Sequence, residues 1–301
     1  MPRILCAGLI AVDLVFEINN FPAKGSKNRA LSSQLITGGG ALNAASAISS
    51  LGGKASLAGV IGDDIFGSYL RDKFHERGID DQFVQVKPGA VTSRSANAIT
   101  PDGDRTIINH RSAALIPEAI DLPAEFPFDA ALVDTRWPEM ALQVVEAAKR
   151  NGKRTVVDAE APVGEATRVL KGASHVVFSE QGLADFAGEG VGALEEATHK
   201  IGGWCAVTRG ALPVLCNDGK RSFEVPVSTA QAVNTLGAGD FWHAAFTLAL
   251  ANGLSERDAV YWSNAAASLK VMRSLASKSL PTKVEVDAAM DGTIKKRRSV
   301  Q

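Results

Sequence analysis

The chain has 301 residues, of which 46% are hydrophobic and 22% are charged, and its formal net charge at pH 7 is −1. These values are typical of a globular protein with a sizeable core, folded as one large α/β domain or as two smaller domains. A charge so close to zero gives no electrostatic reason to expect a nucleic-acid or membrane partner. No apolar stretch reaches the roughly 18 residues that a membrane-spanning helix needs.

The cysteines indicate a reducing environment. Cys6, Cys205 and Cys216 are widely spaced and lie in apolar surroundings, which is typical of buried free thiols. No histidine is spaced to form a zinc site with them, and no signal-peptide pattern precedes the first apolar run. We therefore expect a cytoplasmic protein.

Asp13 is the first candidate for a substrate contact. It follows an apolar run over residues 4–10 that is typical of a buried strand. In open α/β sheets ligands bind beyond the carboxyl ends of the strands, so a carboxylate delivered there can hold a substrate. A helix cap or a loop ion pair explains the same residue equally well.

Three consecutive glycines at positions 38–40 open a helix that we expect over residues 41–51. The helix is rich in alanine and serine, which allows close packing on a sheet, and the glycines let a ligand approach the backbone. Asn43 lies in the first turn of this helix and faces the glycine loop. The third glycine of a dinucleotide-binding fingerprint would fall at position 43, so the pattern excludes that class of site, and the chain contains no Walker-A sequence.

Two stretches outside the strand–helix alternation predict a small separate sheet. The first, residues 14–37, contains loosely alternating short strands and turns. The second holds two strand-like pieces, residues 95–100 and 105–110, with a hairpin signal between them. We expect these segments, about 14–37 and 93–111, to form a lid over the strand ends of the main sheet.

Strands and helices alternate through the rest of the chain, which predicts a mostly parallel sheet with helices on both faces. The further predicted strands are residues 55–60, 130–134, 154–158, 175–178, 204–208, 212–216 and 222–225. The further predicted helices are residues 63–77, 138–150, 182–186, 193–200, 238–252 and 255–274. Because no internal repeat or low-complexity linker divides the chain, we expect a single domain over residues 1–301.

The segment Asn234-Thr235-Leu236-Gly237-Ala238-Gly239-Asp240 leads into an apolar helix. A Gly-Ala-Gly turn at a helix start leaves backbone N–H groups unpaired, and the helix dipole adds positive potential, so the turn suits a phosphate or a developing oxyanion. Asp240 would repel that anion unless its carboxylate takes the proton of an attacking hydroxyl group. The segment therefore predicts phosphoryl transfer to an alcohol with Asp240 as base; an ordinary tight turn with a helix-start aspartate is the open alternative.

Two glycine motifs together resemble the signatures of the ribokinase-like, or pfkB, carbohydrate kinases. The first runs from Gly38-Gly39-Gly40-Ala41-Leu42-Asn43 through Gly62-Asp63-Asp64, and the second is the segment over residues 234–240. Val207-Thr208-Arg209-Gly210 resembles the strand end that contacts ATP in that family. The motifs span nearly the whole chain, and the resemblance implies a ribokinase-like α/β fold with a β-sheet lid and an ATP-dependent sugar kinase activity.

The resemblance implies a role for each candidate residue. Asp240 would be the general base for the sugar hydroxyl group. The charge on the transferred phosphoryl group would be stabilised by the backbone N–H groups of Gly237, Ala238 and Gly239. The sugar hydroxyl groups would be held by Asp13, Gly39 and Asn43. The nucleotide would be contacted by Thr208, Gly210 and Asn264, although Asn264 also fits an ordinary small-residue core helix.

The chain departs from the family pattern in two places. Asn234 stands where an aspartate that helps to hold a monovalent cation in ribokinases is usual, so we expect activity without K⁺. The family's Asn-x-x-Glu motif, associated with Mg²⁺ and phosphate, is replaced by Phe178-Ser179-Glu180-Gln181-Gly182. Glu180 is a candidate for a water-mediated Mg²⁺ contact or is a solvated helix-start residue. Mg²⁺ is still expected as the counter-ion of ATP.

Some stretches resemble the ketohexokinase and sulfofructose kinase branch more than ribokinase itself. They are Val133-Asp134-Thr135-Arg136-Trp137, Val157-Asp158-Ala159-Glu160 and Phe178-Ser179-Glu180. In that branch a lysine, an asparagine and an arginine can gather at one end of the sugar, and comparable places are occupied here by Lys27, Asn109 and Arg136. Such donors would suit a sulfonate, phosphate or carboxylate. A neutral ketose or pentose is the alternative, with Lys27 solvated and Arg136 in a structural ion pair.

Two other functions are compatible with the same fold. One is a nucleoside kinase, and the other is a catalytically weak regulator that binds a sugar or a nucleotide. The intact Gly-Ala-Gly-Asp turn argues against the regulator, whereas Asn234 and the missing Asn-x-x-Glu motif favour it. The family resemblance also implies a homodimer formed through the lids.

Overall fold

The computed structural model describes residues 1–101, 104–228, 230–274 and 279–298, with residues 291–298 as backbone only. The strands in this part of the chain are β1 (Arg3–Ala7), β2 (Ala11–Glu17), β3 (Ser32–Gly38), β4 (Lys54–Gly62), β5 (Asp80–Lys87), β6 (Arg94–Ile99), β7 (Arg105–His110), β8 (Ala130–Asp134), β9 (Arg154–Ala159), β10 (His175–Ser179), β11 (Trp204–Arg209), β12 (Leu212–Asn217) and β13 (Ser222–Val225). The helices are α1 (Gly40–Ser50), α2 (Ile65–Glu76), α3 (Pro138–Arg150), α4 (Thr167–Gly172), α5 (Glu180–Ala187), α6 (Ala193–Ile201), α7 (Ala238–Ala251), α8 (Glu256–Val271) and α9 (Lys283–Arg298).

The central sheet contains nine of the described strands in the order β13-β12-β11-β10-β9-β8-β1-β4-β5. Every neighbouring pair from β11 to β5 is parallel, and β12 and β13 are added as an antiparallel hairpin at one edge. Parallel neighbours bring their carboxyl ends to the same edge of the sheet, which is where ligands bind in open α/β folds. The predicted mostly parallel sheet is therefore confirmed.

Helices cover both faces of this sheet. Side chains alternate along each strand, so that Ile4 and Cys6 join the core under α1, α2, α7 and α8, while Leu5 and Ala7 join the core under α3, α4 and α6. The near-continuous apolar composition of the inner strands follows from this burial on two sides. None of the described helices is both long and apolar enough to cross a membrane.

A second sheet of four strands, in the order β3-β2-β6-β7, forms the expected lid. It begins at Ala11, earlier than the predicted position 14, because the first apolar run contains a turn: β1 ends at Ala7 and β2 starts four residues later. Asp13 therefore lies inside a lid strand, and the prediction that it follows the end of the first buried strand was wrong. Two residues of the predicted hairpin, 102 and 103, lie outside the described residues.

Most predicted elements are present within one to three residues of their expected ends, and α3 has the predicted bounds. Three elements were not predicted: β5, α4 and α9. β5 is the edge strand of the main sheet, and its polar sequence Asp80-Asp81-Gln82-Phe83-Val84-Gln85-Val86-Lys87 reflects partial exposure rather than core packing. An edge strand lacks the apolar run that identifies the buried strands.

Candidate active site

The Gly-Ala-Gly turn forms the start of α7, as predicted. Gly237 adopts the left-handed conformation (φ 69°) and is the residue at the helix N-cap, with no side-chain cap. The N–H of Ala238 donates to the Thr235 carbonyl oxygen at 3.2 Å, whereas the N–H groups of Gly237 and Gly239 have no acceptor among the described residues. Two unpaired donors at the positive end of a 14-residue helix form a site for an anion.

Contacts from α8 and from Asn234 hold this turn. The side-chain oxygen of Asn234 accepts from the Leu236 N–H at 3.0 Å. The Val271 carbonyl oxygen accepts from the N–H groups of Val233 and Asn234 at 2.7 and 3.0 Å. Lys270 Nζ donates to the Leu236 carbonyl oxygen at 3.0 Å. The residues before the anion-binding turn are therefore tied to the C-terminal end of α8.

Asp240 lies in the first turn of α7 and faces the first turn of α1. Its Oδ2 accepts a hydrogen bond from Asn43 Nδ2 at 2.8 Å. A Cβ atom at Gly40 would lie 3.5 Å from Asp240 Oδ1, which is an ordinary contact distance, so the start of α1 packs directly against the carboxylate. The structure thus brings together the two signature motifs at one point.

Buried acidic neighbours tune Asp240. Burial, followed by the charge of Asp158, raises the pKa of Asp240 to about 7, against the hydrogen bond from Asn43 that lowers it. Burial and the charges of Glu160 and Asp134 raise the pKa of Asp158 as well. A carboxylate with a pKa near 7 can accept a proton from a hydroxyl group in the transition state and release it at neutral pH.

His243 lies between the first turn of α7, which carries Asp240, and Asp158 on β9. Its Nδ1 donates to the Gly239 carbonyl oxygen at 2.7 Å, which leaves Nε2 facing Asp158 Oδ1 at 3.6 Å. Burial lowers the pKa of His243, so the neutral imidazole is favoured. Sequence analysis missed Asp158 and His243 as site residues; the available signals were an aspartate near the carboxyl end of a predicted strand and a histidine three positions after Asp240.

A cavity of about 820 Å³ opens in front of the turn. Its walls include Asp13, Asn43, Asn234 and Gly237. Asp13 Oδ1 accepts from Ser95 Oγ at 2.5 Å, and burial raises the pKa of Asp13. The cavity is large enough for a monosaccharide and offers it carboxylate and amide partners.

Gly39 is the residue that allows the chain to reach this cavity from the lid. It adopts φ 86° at the N-cap of α1. A Cβ atom there would lie 2.3 Å from the Leu9 carbonyl oxygen, so only glycine fits. Its carbonyl oxygen accepts from the Asn43 N–H at 3.0 Å, and its role next to the substrate stays a prediction.

The lid reaches both the cavity and the anion-binding turn. Asp13, Ser95 and Asn109 lie in one row across β2, β6 and β7, and directly paired residues of a sheet project from the same face. Arg105 Nη1, at the start of β7, donates to Thr235 Oγ1 at 3.1 Å. Asn109 shares this row with Asp13, and its position near the sugar stays a prediction.

Lys27, Arg136 and Asn109 make no hydrogen bond with one another among the described residues. Lys27 is exposed in the loop between β2 and β3 and makes no ion pair with any described residue. Arg136 donates to Glu160 Oε2 at 2.5 Å and to the Ala161 carbonyl oxygen at 3.0 Å. The guanidinium group is therefore occupied by a structural ion pair, which was the alternative reading of Arg136.

The expected nucleotide residues lie in two different environments. Thr208 is the last but one residue of β11 and pairs with Ser179, and Gly210 (φ 59°) directly follows the strand, so both are at the carboxyl edge of the sheet. Asn264 is buried in α8, where its oxygen accepts from Trp242 Nε1 at 2.7 Å and its nitrogen donates to the Pro226 carbonyl oxygen at 3.0 Å. Both ends of this amide are used within the core, which supports the core-helix interpretation.

Glu180 is exposed at the first position of α5, directly after the N-cap Ser179. Among the described residues, no group of three or more His, Cys, Asp or Glu side chains could hold a metal ion. A single carboxylate near the strand edge, such as that of Glu180, suits a water-mediated contact with Mg²⁺.

An anion-binding turn, a carboxylate of raised pKa and a lidded cavity are together the features of a small-molecule kinase. A family model described as pfkB family carbohydrate kinase matches residues 1–283. The chain belongs to this family. It is accordingly an ATP-dependent sugar kinase.

Curated relatives match along almost the whole chain. A ribokinase of Bacillus subtilis is 25% identical over 295 residues, which cover 95% of this chain and 99% of that protein. A ketohexokinase of Mus musculus is 25% identical over 283 residues, which cover 86% of this chain and 92% of that protein. The similarity to the ketohexokinase branch is therefore no stronger than the similarity to a ribokinase.

Solved structures confirm the ribokinase-like fold. A crystal structure from Agrobacterium tumefaciens, provisionally named a ribokinase, superposes with a TM-score of 0.93 at 32% identity and covers 98% of this chain and 99% of that one. A ribokinase of Arabidopsis thaliana, complexed with ribose and ATP, has a TM-score of 0.79 at 22% identity and covers 96% of this chain and 98% of that one.

The acid limb of the pH–rate profile should report Asp240. Because its pKa is raised to about 7, the base is protonated below that pH, and kcat/KM should fall about tenfold for each pH unit. The charge of Asp158 contributes to the raised pKa of Asp240, so Asp158→Asn, which cannot ionise, should lower that pKa and move the acid limb to lower pH.

The measurement is kcat/KM from pH 5 to 9 for the wild type, Asp158→Asn and the control Asp121→Asn, whose carboxylate is exposed. The control should reproduce the wild-type profile. An acid limb near pH 4 in the wild type, or one that Asp158→Asn leaves in place, would contradict the tuning of Asp240 by its acidic neighbours.

Proposed function

We propose that the protein transfers the γ-phosphoryl group of ATP to a hydroxymethyl group of a sugar, with Asp240 as general base. One observation carries this proposal: the carboxylate of Asp240 lies in the same helix turn as the unpaired N–H groups of Gly237 and Gly239. Charge donors and a proton acceptor are therefore placed side by side, as transfer to an alcohol requires.

The reaction follows from this placement. The sugar oxygen forms a bond to the γ-phosphorus as the bond to the β-phosphate oxygen of ATP breaks, and ADP leaves. Asp240 takes the hydroxyl proton, and Asn43 keeps the accepting carboxylate oriented through its 2.8 Å hydrogen bond. The turn stabilises the negative charge on the transferred group. Asp13 and the Gly39 backbone hold the remaining sugar hydroxyl groups.

The nucleotide lies along the carboxyl edge of β10 and β11 in this proposal. Thr208 and Gly210 contact it, and the helix dipole of α7 faces its phosphates. Mg²⁺ supplies charge neutralisation when it enters with ATP, and Glu180, at the same edge, would contact it through water. Asn264, with both amide ends bonded in the core, supports the wall of this region rather than the adenine directly.

Asp240→Asn tests the base directly. The new amide oxygen can still accept from Asn43, so the fold and sugar binding should persist while kcat falls by about 10² to 10⁴. The assay is ADP release with ATP, Mg²⁺ and a sugar panel, together with calorimetric sugar binding. Asp72→Asn, an exposed aspartate on α2, is the control and should keep wild-type turnover.

The same variant separates the kinase from a weak regulator on this fold. A regulator would show only trace turnover in the wild type, and Asp240→Asn would not change it. Equal turnover of the two proteins would refute Asp240 as the base.

We propose a neutral ketose or pentose as the acceptor. Arg136 is engaged by Glu160 and Ala161, and Lys27 is exposed in a loop, so neither of the two cations expected to bind an anionic substituent is both free and held in place. A free guanidinium group is what bidentate anion recognition would need.

A comparison of ribose and fructose with 6-phospho- and 6-sulfofructose checks this choice. The neutral sugars should have the higher kcat/KM, and Arg136→Ala should change the neutral-to-anionic ratio by less than about threefold, because the arginine makes no substrate contact. Arg150→Ala, at the end of α3, controls for loss of a surface charge. Preference for an anionic sugar that Arg136→Ala abolishes would establish the anion pocket instead.

We also propose a homodimer through the lids. Leu35, Leu14, Ala96 and Ile108 form one row across β3, β2, β6 and β7, on the opposite face from Asp13, and Ile108 is 71% exposed. A second copy would cover this apolar row with its own, as a two-fold interface requires.

Ile108→Glu should convert the dimer to a monomer, because it places a charge in the shared apolar row at its most exposed residue. Light scattering after size-exclusion chromatography at micromolar concentration measures the mass. Ile116→Glu, exposed outside the lid, is the control and should stay dimeric. A wild-type mass of one chain would contradict the proposal.

A cytoplasmic location is our inference from the buried thiols. Cys6, Cys205 and Cys216 are all free and buried, which suits a reducing compartment.

A further inference from the structure

Lys270 is the charged group in direct contact with the peptide that begins the anion-binding turn. It lies in the last turn of α8 with a partly buried side chain, and its Nζ donates to the Leu236 carbonyl oxygen at 3.0 Å. That carbonyl and the unpaired N–H of Gly237 belong to the same peptide group. Because a trans peptide directs its C=O and N–H to opposite sides, a contact on the carbonyl also sets the direction of the N–H.

An ordinary helix-terminal lysine would interact with the last carbonyl groups of its own helix. Lys270 instead extends to Leu236, while the α8 carbonyl of Val271 accepts from Val233 and Asn234. The neighbouring cation Arg273 is engaged elsewhere, by Glu285 and Ser279. The side chain of Lys270 is therefore directed at the turn and is not bound to the carbonyl groups at the end of its own helix.

The ammonium group also acts on the electronic state of the peptide. A cation at the carbonyl oxygen polarises the amide, which makes the N–H at its other end a stronger donor. Burial lowers the pKa of Lys270, and the carboxylate of Asp240 opposes this shift, so the two charges of the site support each other. Asn234 complements the contact by accepting the N–H of Leu236.

We propose that Lys270 is a positioning residue for phosphoryl transfer: its ammonium group fixes the Leu236–Gly237 peptide so that the Gly237 N–H points at the transferred group. This inference rests on the proposed function and names the element that holds its anion-binding turn. A cation supplied by the chain itself also gives a physical reason for the expected activity without K⁺.

The first experiment compares Lys270→Met, Lys270→Arg and the control Lys200→Met, a surface lysine of α6 paired with Glu196. Lys270→Met should lower kcat by about 10- to 100-fold, because a misplaced donor costs this much, and should leave the sugar KM nearly unchanged. Lys270→Arg keeps a cation at the carbonyl and should recover most of the rate. Lys200→Met should match the wild type, and melting temperatures report folding.

The second experiment is rescue of Lys270→Ala, which leaves space for a small cation. Added K⁺ or methylammonium should raise its kcat severalfold, while the wild type should respond to neither cation. Wild-type rates in Lys270→Met would overturn the proposal. So would a loss of rate in both Lys270→Met and Lys270→Ala that neither Lys270→Arg nor added cations restore.

Failure of the proposed function is distinguishable from failure of this inference. A wild type that phosphorylates no sugar in the panel would refute the function alone. The turn is then tested by calorimetry with pyrophosphate, whose affinity should fall about tenfold in Lys270→Met and recover in Lys270→Arg. Equal affinity in the wild type and Lys270→Met would overturn the role of Lys270.

Discussion

The hydrogen bond between Asn43 and Asp240 joins two helices whose contacting residues are 197 positions apart in the chain. Both helices begin at a left-handed glycine, Gly39 for α1 and Gly237 for α7, and both direct their positive ends at the same carboxylate. Each dipole favours the ionised acid by about 0.3–1 kcal/mol, which is less than one pKa unit. Burial and the acidic neighbours raise the pKa from 3.8 to about 7, so they outweigh both dipoles.

Around this point the fold separates three tasks. The parallel sheet presents the strand edge, the two helix starts present the unpaired N–H groups and the carboxylate of Asp240, and the lid presents Asp13 from outside the main sheet. The lid also contacts the turn through Arg105 and Thr235. A substrate held by Asp13 is therefore held by the same small sheet that touches the phosphoryl site, so binding and chemistry are coupled through β2, β6 and β7.

The fold could be predicted because each buried strand is a short apolar run and the glycines mark the turns; β5 escaped because an edge strand is half polar. The wrong end predicted for the first strand has a related cause. Gly8 and Ile10 are buried although they lie in a turn, so the apolar run did not show where β1 ends. An apolar run therefore shows that its residues are buried, and does not show that all of them form a strand.

The site also contains residues that the sequence could place and residues that it could not. Residues carried by local motifs, such as Asn43 and Asp240, could be placed because their spacing sets their geometry. Contacts between distant segments have no such signal: Lys270 with Leu236, and His243 with Asp158, appear only when the chain is folded. Arg136 illustrates the limit, since a sequence identifies a cation but not the carboxylate that occupies it.

The lid strands carry a polar row and an apolar row that alternate residue by residue, with Asp13 beside Leu14 and Asn109 beside Ile108. A shift of one residue in strand pairing exchanges the two faces of a sheet. A single-residue insertion in β2 would turn the carboxylate outward and an apolar side chain into the cavity. The lid can therefore change by substitution, or by lengthening the loop after β2, while an insertion within the strand would damage the sugar face and the outer face together.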